Sequence, residues 1–311
     1  MKLVSARVTI PLAERYRDRL PLAPGTEIVS LGEGSTPLLE APRLSERIGV
    51  EVWLKWEGAN PTGSFKDRGM TVAVSKALAD GAKSIVCAST GNTAASAAAY
   101  AARAGLEALI LHPEGAVARG KVAQAVAVGA KLSARPSFDE ALSDARELEA
   151  KGTHVLVNSL NPLRIEGQKT AAFEIVEELG ATPEVLALPY GGGGNICAYA
   201  IGFAEEGRGT PRFVAAEASE RATTVASAIR ISEPAHADEA QQAVDDSRGD
   251  IVALSDAAIL DAWRLLAREE GVFCEPSSAA GLAALIADPP RDARVVCVIT
   301  GHGLKDPDAV R

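Results

Sequence analysis

The stretch with the most obvious chemistry is Asn60-Pro61-Thr62-Gly63-Ser64-Phe65-Lys66-Asp67-Arg68-Gly69. Asn, Pro, Thr and Gly form a turn that delivers one lysine beside an aromatic ring, and an Ala- and Val-rich helical pattern, Thr71 to Ala79, follows at once. A lysine in the first turn of a helix meets the positive end of the backbone dipole, which eases loss of its proton. Once neutral, it is a nucleophile able to form a Schiff base. The plainer alternative is a solvated lysine at a helix start, the usual fate of this residue type.

Three more junctions carry unusual groups. Ala88-Ser89-Thr90-Gly91-Asn92-Thr93 follows the run SIVC and opens an Ala-rich helical pattern. Its hydroxyls, amide and backbone N–H groups suit a carboxylate or phenolate oxygen, or serve as an ordinary helix cap. Leu188-Pro189-Tyr190-Gly191-Gly192-Gly193-Gly194-Asn195 leads into a helical pattern over Ile196–Glu206. Consecutive glycines let several N–H groups converge on one anion with the helix dipole behind them, and a phosphate monoester is the natural guest. The glycines do not spell GxGxxG, because Ile196 interrupts it, and Ser64 stands after Gly63 where a nucleotide-triphosphate loop needs lysine. Finally, Ile299-Thr300-Gly301-His302-Gly303-Leu304 closes the last apolar run. Thr300 could offer its hydroxyl to a ring nitrogen and leave that nitrogen mostly unprotonated. His302 has acid–base chemistry but no partner identifiable from sequence, so a loop histidine is the simpler reading.

Such junctions need a scaffold that aims them at one place. Glu51 to Glu57 alternates apolar and polar residues as a half-buried strand does, and it feeds the lysine turn. Short strands follow at Ser84–Ala88, Ala108–Leu111, Lys131–Ala134, His154–Val157, Val185–Leu188, Phe213–Ala216 and Val295–Ile299. Helical patterns fill the gaps at Thr93–Arg103, Ala118–Val128, Phe138–Lys151, Ile165–Leu179, Ile196–Glu206 and Asp256–Glu270. The alternation implies an α/β chain with two open, mainly parallel sheets and helices on both faces. Ligands then bind beyond the carboxyl ends of the strands, where these junctions lie. Residues 1–30 read as an arm that docks on the body or a neighbour, a further helix spans Pro42–Ile48, and the charged stretch 219–250 reads as surface structure.

Composition narrows the class. The 311 residues suffice for one large or two modest domains, and only 4% are aromatic, so the core must be aliphatic and Ala-rich. A net charge of −9 argues against general affinity for nucleic acid or anionic membrane, leaving any anionic ligand to local donors. Cys87, Cys197, Cys274 and Cys297 lack CxxC spacing, which favours buried thiols in a reducing compartment over disulfides or a metal site. No apolar run reaches about 18 residues, and a cytoplasmic location is expected.

In this order, a loop lysine before a helix, an Asn in a Ser/Thr-rich helix start, a poly-Gly loop and a C-terminal hydroxyl residue resemble the fold type II pyridoxal 5′-phosphate (PLP) enzymes. Within that superfamily the chain is most similar to the threonine synthases, through LGEGSTPLL, LKWEGANPTGSFKDRGM, CASTGNTAASAAAYAARAG, VNSLNPLRIEGQKTAAFEI and ITGHGLKDP. The resemblance implies Lys66 as the Schiff-base lysine, Asn92 on the phenolic oxygen of PLP, Gly191, Gly192, Gly193, Gly194 and Asn195 around its phosphate, and Thr300 at its pyridine nitrogen. Ser89, Thr90 and Thr93 would hold the substrate carboxylate. Asn158, Ser159 and Arg164 would bind the phosphate of O-phospho-L-homoserine, and an arginine fork with neutral donors suits such a dianion.

The implied reaction has Lys66 remove the Cα proton, a Cβ proton leave with expulsion of the γ-phosphate, reprotonation follow, and water add at Cβ to give threonine. It also implies a homodimer, with a larger domain from residues 1–59 and 161–311 and a smaller mobile one from 60–160. Two features depart from the threonine synthase pattern: Gly191–Asn195 reads GGGGN where those enzymes have GNAGN, and the stretch from Glu217 to Ala228 is short. The glycine form is closer to that of serine and threonine dehydratases, which stay open as an alternative together with phosphoserine-dependent enzymes.

Overall fold

A computed structural model describes residues 10–114 and 119–310. The first nine residues of the expected arm, and Ala118 at an expected helix start, lie outside the described residues. Ten strands are described: β1 (Leu38–Glu40), β2 (Glu51–Trp56), β3 (Ser84–Ala88), β4 (Glu107–Pro113), β5 (Lys131–Arg135), β6 (Val155–Leu156), β7 (Val185–Pro189), β8 (Arg212–Ala218), β9 (Asp250–Leu254) and β10 (Arg294–Ile299). They form a six-stranded sheet in the order β1-β2-β10-β7-β8-β9 and a four-stranded sheet in the order β5-β4-β3-β6. Every pairing is parallel except β1 with β2.

Both faces of the larger sheet are covered, and its strands show why they lack a polar side. Val295, Cys297 and Ile299 of β10 enter one apolar cluster, whereas Val296 and Val298 enter another on the opposite face. The first cluster packs against the helices Asp256–Glu269 and Ala280–Ala287, and the second against Thr170–Leu179 and Gly194–Glu206. The smaller sheet is covered by the helix Asn92–Ala104, whose buried Ala94, Ala97 and Ala101 permit close approach to the sheet.

Several differences from the sequence reading have physical causes. Lys55, expected on the polar side of a half-buried strand, is fully buried because β2 lies between β1 and β10 under helices and finds carboxylates there. The stretch 219–250 is more than surface decoration: it holds the helix Ala237–Asp246, leads into β9, and lays His236 against the glycine loop. The charges that hid this helix lie on its outer face, and Ala240 and Val244 alone are buried. The expected helix Ile165–Leu179 is two, Pro162–Gln168 and Thr170–Leu179, with Lys169 between them bonded to Glu166 and Glu205. The arm docks on the body: Leu12, Tyr16, Leu20 and Leu22 pack on Val72 and Phe173. All four cysteines are buried thiols.

Candidate active site

The sheet order brings the junctions together. The lysine turn follows β2, the Thr300 segment follows β10 and the glycine loop follows β7, three adjacent parallel strands whose carboxyl ends share one edge. In the smaller sheet β3 and β6 are neighbours, so Ser89–Asn92 and Asn158–Arg164 also emerge side by side. The lysine turn is stitched directly to the last junction: Phe65 N donates to Thr300 O at 3.1 Å and His302 N to Gly63 O at 2.9 Å.

Lys66 opens the helix Lys66–Ala79, and its neighbours hold the turn. Asp67 accepts from Thr62 N at 2.7 Å, Thr62 Oγ1 at 2.6 Å and Ser96 Oγ at 2.6 Å, tying the turn to the helix Asn92–Ala104. Burial raises its carboxyl to about 6, against the pull of those donors. Arg68 is entirely buried and donates to Glu57 at 2.7 and 2.8 Å and to Glu174 at 2.9 and 2.6 Å. Burial alone would weaken its charge, but the two carboxylates raise its pKa well above the ordinary value.

The Lys66 amine is in a different situation. Its side chain is half-buried, with Nζ 4.2 Å from the Phe65 ring centroid, and among the described residues it makes no ion pair. Burial is the main cause that lowers its pKa from 10.5 to about 7, and the Arg164 guanidinium adds to the effect. The sequence reading expected the lowered value but assigned it to the helix dipole. Arg164 comes this close because two helices nearly touch: a Cβ on Gly69 would overlap the Arg164 carbonyl, and one on Gly167 would overlap the Arg68 carbonyl. Glycine is required at both places by packing.

Two helix starts lie open to anions. No side chain caps the helix Asn92–Ala104, so Ser89, Thr90 and Thr93 are not spent on its first turn; Ser89 Oγ instead accepts from Gly91 N at 3.1 Å. The helix Gly194–Glu206 likewise starts without a side-chain cap. Gly193 there has φ +85° and faces the His236 carbonyl, so a side chain is excluded twice over. Gly191 and Gly192 complete the bend, and the Asn195 amide nitrogen is buried with no partner. Backbone N–H groups, a dipole and an uncommitted amide make a cradle for a phosphate.

At the end of β10, the strand next to β7, Thr300 Oγ1 lies 3.0 Å from Ser278 Oγ, which also accepts from Gly301 N at 2.9 Å. Asn92 Nδ2 donates to Glu275 at 2.7 Å. Sequence reasoning missed both Ser278 and Glu275, because CEPSSAA carries no spacing signal and is brought to the site by the fold, through the bridge of Cys274 with His302 and these side-chain contacts. His302 is held in its loop: its ring stacks on Trp56 at 5.9 Å and its Nδ1 accepts from Leu304 N at 3.2 Å.

The segment after β6 is firmly held. Asn158 bonds both ways to the Ala88 backbone at 2.8 Å, clamping β6 to the end of β3, and keeps one amide hydrogen uncommitted. The Ser159 carbonyl meets His236 Nε2 at 3.0 Å. Arg164 is fully buried, donating to Val157 O at 2.8 Å and Lys66 O at 3.4 Å, while its Nε has no partner. It is therefore a braced cation under Lys66 and not a mobile surface fork; burial lowers its pKa to about 10.

Comparisons with known proteins identify the fold and the family. The fold is that of the type II PLP enzymes: maize serine racemase superposes with a TM-score of 0.77 at 25% identity, over 86% of this chain and 88% of that one. The family model for pyridoxal-phosphate dependent enzymes matches residues 29–301. Threonine synthase from Synechocystis sp. is 50% identical over 96% of this chain and 84% of its own length. That of Mycobacterium leprae is 50% identical over 94% and 88%. The chain belongs to the pyridoxal-phosphate-dependent enzymes and, within them, to the threonine synthase family.

The residues present fit the cofactor. Asn195 Nδ2, Ser64 Oγ, Ser277 Oγ and Arg164 Nε, all on or beside the site loops, are buried without hydrogen-bond partners. Polar atoms are rarely stranded in this way unless a ligand meets them. Among the described residues no group of His, Cys, Asp and Glu could hold a metal ion, and no helix is long and apolar enough to cross a membrane.

Proposed function

We propose that the chain converts O-phospho-L-homoserine and water into L-threonine and phosphate. The observation that carries this reading is the pairing of a depressed lysine amine with a braced arginine, Lys66 over Arg164, in a fold whose strand ends also carry two uncapped helix starts. Gly191 to Asn195 would hold the PLP phosphate, Asn92 its phenolic oxygen and Thr300, with Ser278, its ring nitrogen. When bound, PLP would withdraw electrons from the substrate Cα.

The protein's own groups then have distinct tasks. Lys66 Nζ, near neutrality already able to lose its proton, takes the proton from Cα. Ser89, Thr90, Thr93 and the first-turn N–H groups of their helix hold the carboxylate. Asn158, Ser159 and Arg164 receive the substrate phosphate; its γ C–O bond breaks as a Cβ proton leaves. A proton is returned to Cγ to make the methyl group, water supplies the new hydroxyl at Cβ, and a proton returns to Cα. Residues 60–160 act as the smaller, mobile domain, and the enzyme works as a cytoplasmic homodimer.

The test is a product assay with O-phospho-L-homoserine, O-phosphoserine and threonine offered separately. Phosphate and threonine should form from the first alone. A 2-oxo acid formed from threonine, without use of the phosphorylated substrate, would make the chain a dehydratase.

A further inference from the structure

Glu275 is buried to 1% exposure beside the site, yet nothing in the cofactor or substrate contacts above requires it. Burying a carboxylate is costly, so its position demands a reason. The backbone is arranged to keep it there. Glu275 N donates to Gly301 O at 3.0 Å, Ser278 N to Glu275 O at 2.9 Å, and any side chain on Gly301 would overlap the carboxylate. The requirement for glycine in Thr300-Gly301-His302 is thus a requirement to admit Glu275.

The carboxylate reaches the Asn92 amide nitrogen at 2.7 Å, with Asn92 itself only 7% exposed. An amide has two ways round, and only one is tolerable here: the carbonyl oxygen would repel the carboxylate, so nitrogen must face Glu275. One amide hydrogen is then spoken for and one is not. The Glu275 charge also acts on Lys66, where it opposes the loss of the proton. It therefore lies within electrostatic reach of both groups that would grip the carbonyl end of the cofactor.

We propose that Glu275 is a positioning residue: its carboxylate pins the Asn92 amide nitrogen, so that the second N–H becomes the donor to the phenolic oxygen of PLP. This rests on the proposed contact of Asn92 with that oxygen. Protonation at that oxygen and its neighbouring nitrogen sets which absorption band the lysine-bound cofactor shows, so the role has a spectroscopic signature that loss of packing alone would not produce.

The experiment compares PLP affinity and the ratio of long- to short-wavelength cofactor bands in the wild type, Glu275→Ala, Glu275→Gln, Asn92→Ala and the double Ala variant. Glu275→Ala should weaken PLP binding about tenfold, as for a lost charge-assisted hydrogen bond, and change the band ratio. Glu275→Gln, whose amide oxygen accepts the same bond, should restore the wild-type ratio. On the Asn92→Ala background, Glu275→Ala should have no further effect. Should Glu275→Ala fold poorly, Glu275→Asp, one methylene shorter, must give the same change. The proposal is overturned by a wild-type ratio and affinity in the Ala variant, by failure of Gln to restore the ratio, or by an equal effect with Asn92 absent. Asn92→Ala with unchanged bands would remove the underlying contact while leaving the product assay to stand.

Discussion

Lys55 and Lys66 flank one turn, both carry amines inside the protein, and they have opposite surroundings. Lys55 meets Glu174 at 3.0 Å, Glu178 at 2.8 Å and the Thr36 carbonyl at 2.7 Å. Lys66 has a phenyl ring, an arginine underneath, and the charge of Glu275 only at longer range. Burial by itself does not make a lysine reactive; what decides is whether an opposite charge is supplied with it. The Arg68, Glu57 and Glu174 cluster supplies such charges on one side of the turn, and leaves Lys66 without them on the other. A buried ion cluster is a poor source of stability but a good way to fix a backbone, and here it fixes the first turn of the helix that carries Lys66.

Substitutions at the two lysines should therefore fail in opposite ways. Lys66→Ala should keep its fold and lower phosphate release by at least about 10³-fold. An activity loss matched by a loss of stability would erase the distinction. Lys55→Met should cost about 3 kcal/mol, read from denaturant unfolding of the protein, because it takes one of two cations away from the buried Glu174 carboxylate. Activity per folded molecule should stay near wild type. If Lys55→Met were as stable as the parent, the ion cluster would not be what holds the turn.

The smallest effect concerns the cation under Lys66. PLP capture by cofactor-free protein needs the neutral amine, which predominates above its pKa, so the capture rate should rise with pH around a midpoint near the value of about 7. Arg164→Met removes a positive charge that disfavours protonation; the amine pKa must rise, and the midpoint should move upward by about one unit. An unmoved midpoint would leave burial as the sole cause and remove Arg164 from that role.

How much of this was legible in the chain follows from how local each signal is. Lys66, Ser89 to Thr93 and the Gly191–Asn195 loop stand in short stretches at strand ends, where residue type alone states the chemistry. Strand and helix alternation was enough to give parallel sheets, since Val295 to Ile299 and their like are apolar on both faces. Glu275, Ser278 and His236 were invisible because they reach the site across the fold, by a backbone bridge or a loop lying against glycines. Lys55 was misjudged for a related reason: alternation in EVWLKWE marks one face as polar, but the Glu174 that makes burial tolerable lies far along the chain. Arg164 was legible by residue type as a donor to an anion, but its bracing beneath the lysine by the close approach at Gly69 and Gly167 is set by the fold and has no local signal.

The claim that Lys66 is the reactive amine is tested most directly by borohydride reduction of the PLP-loaded protein, followed by mass mapping of its peptides. The cofactor should be fixed on Lys66, with none on Lys55. Trapping on another lysine, or none at all from protein that has bound PLP, would contradict the account.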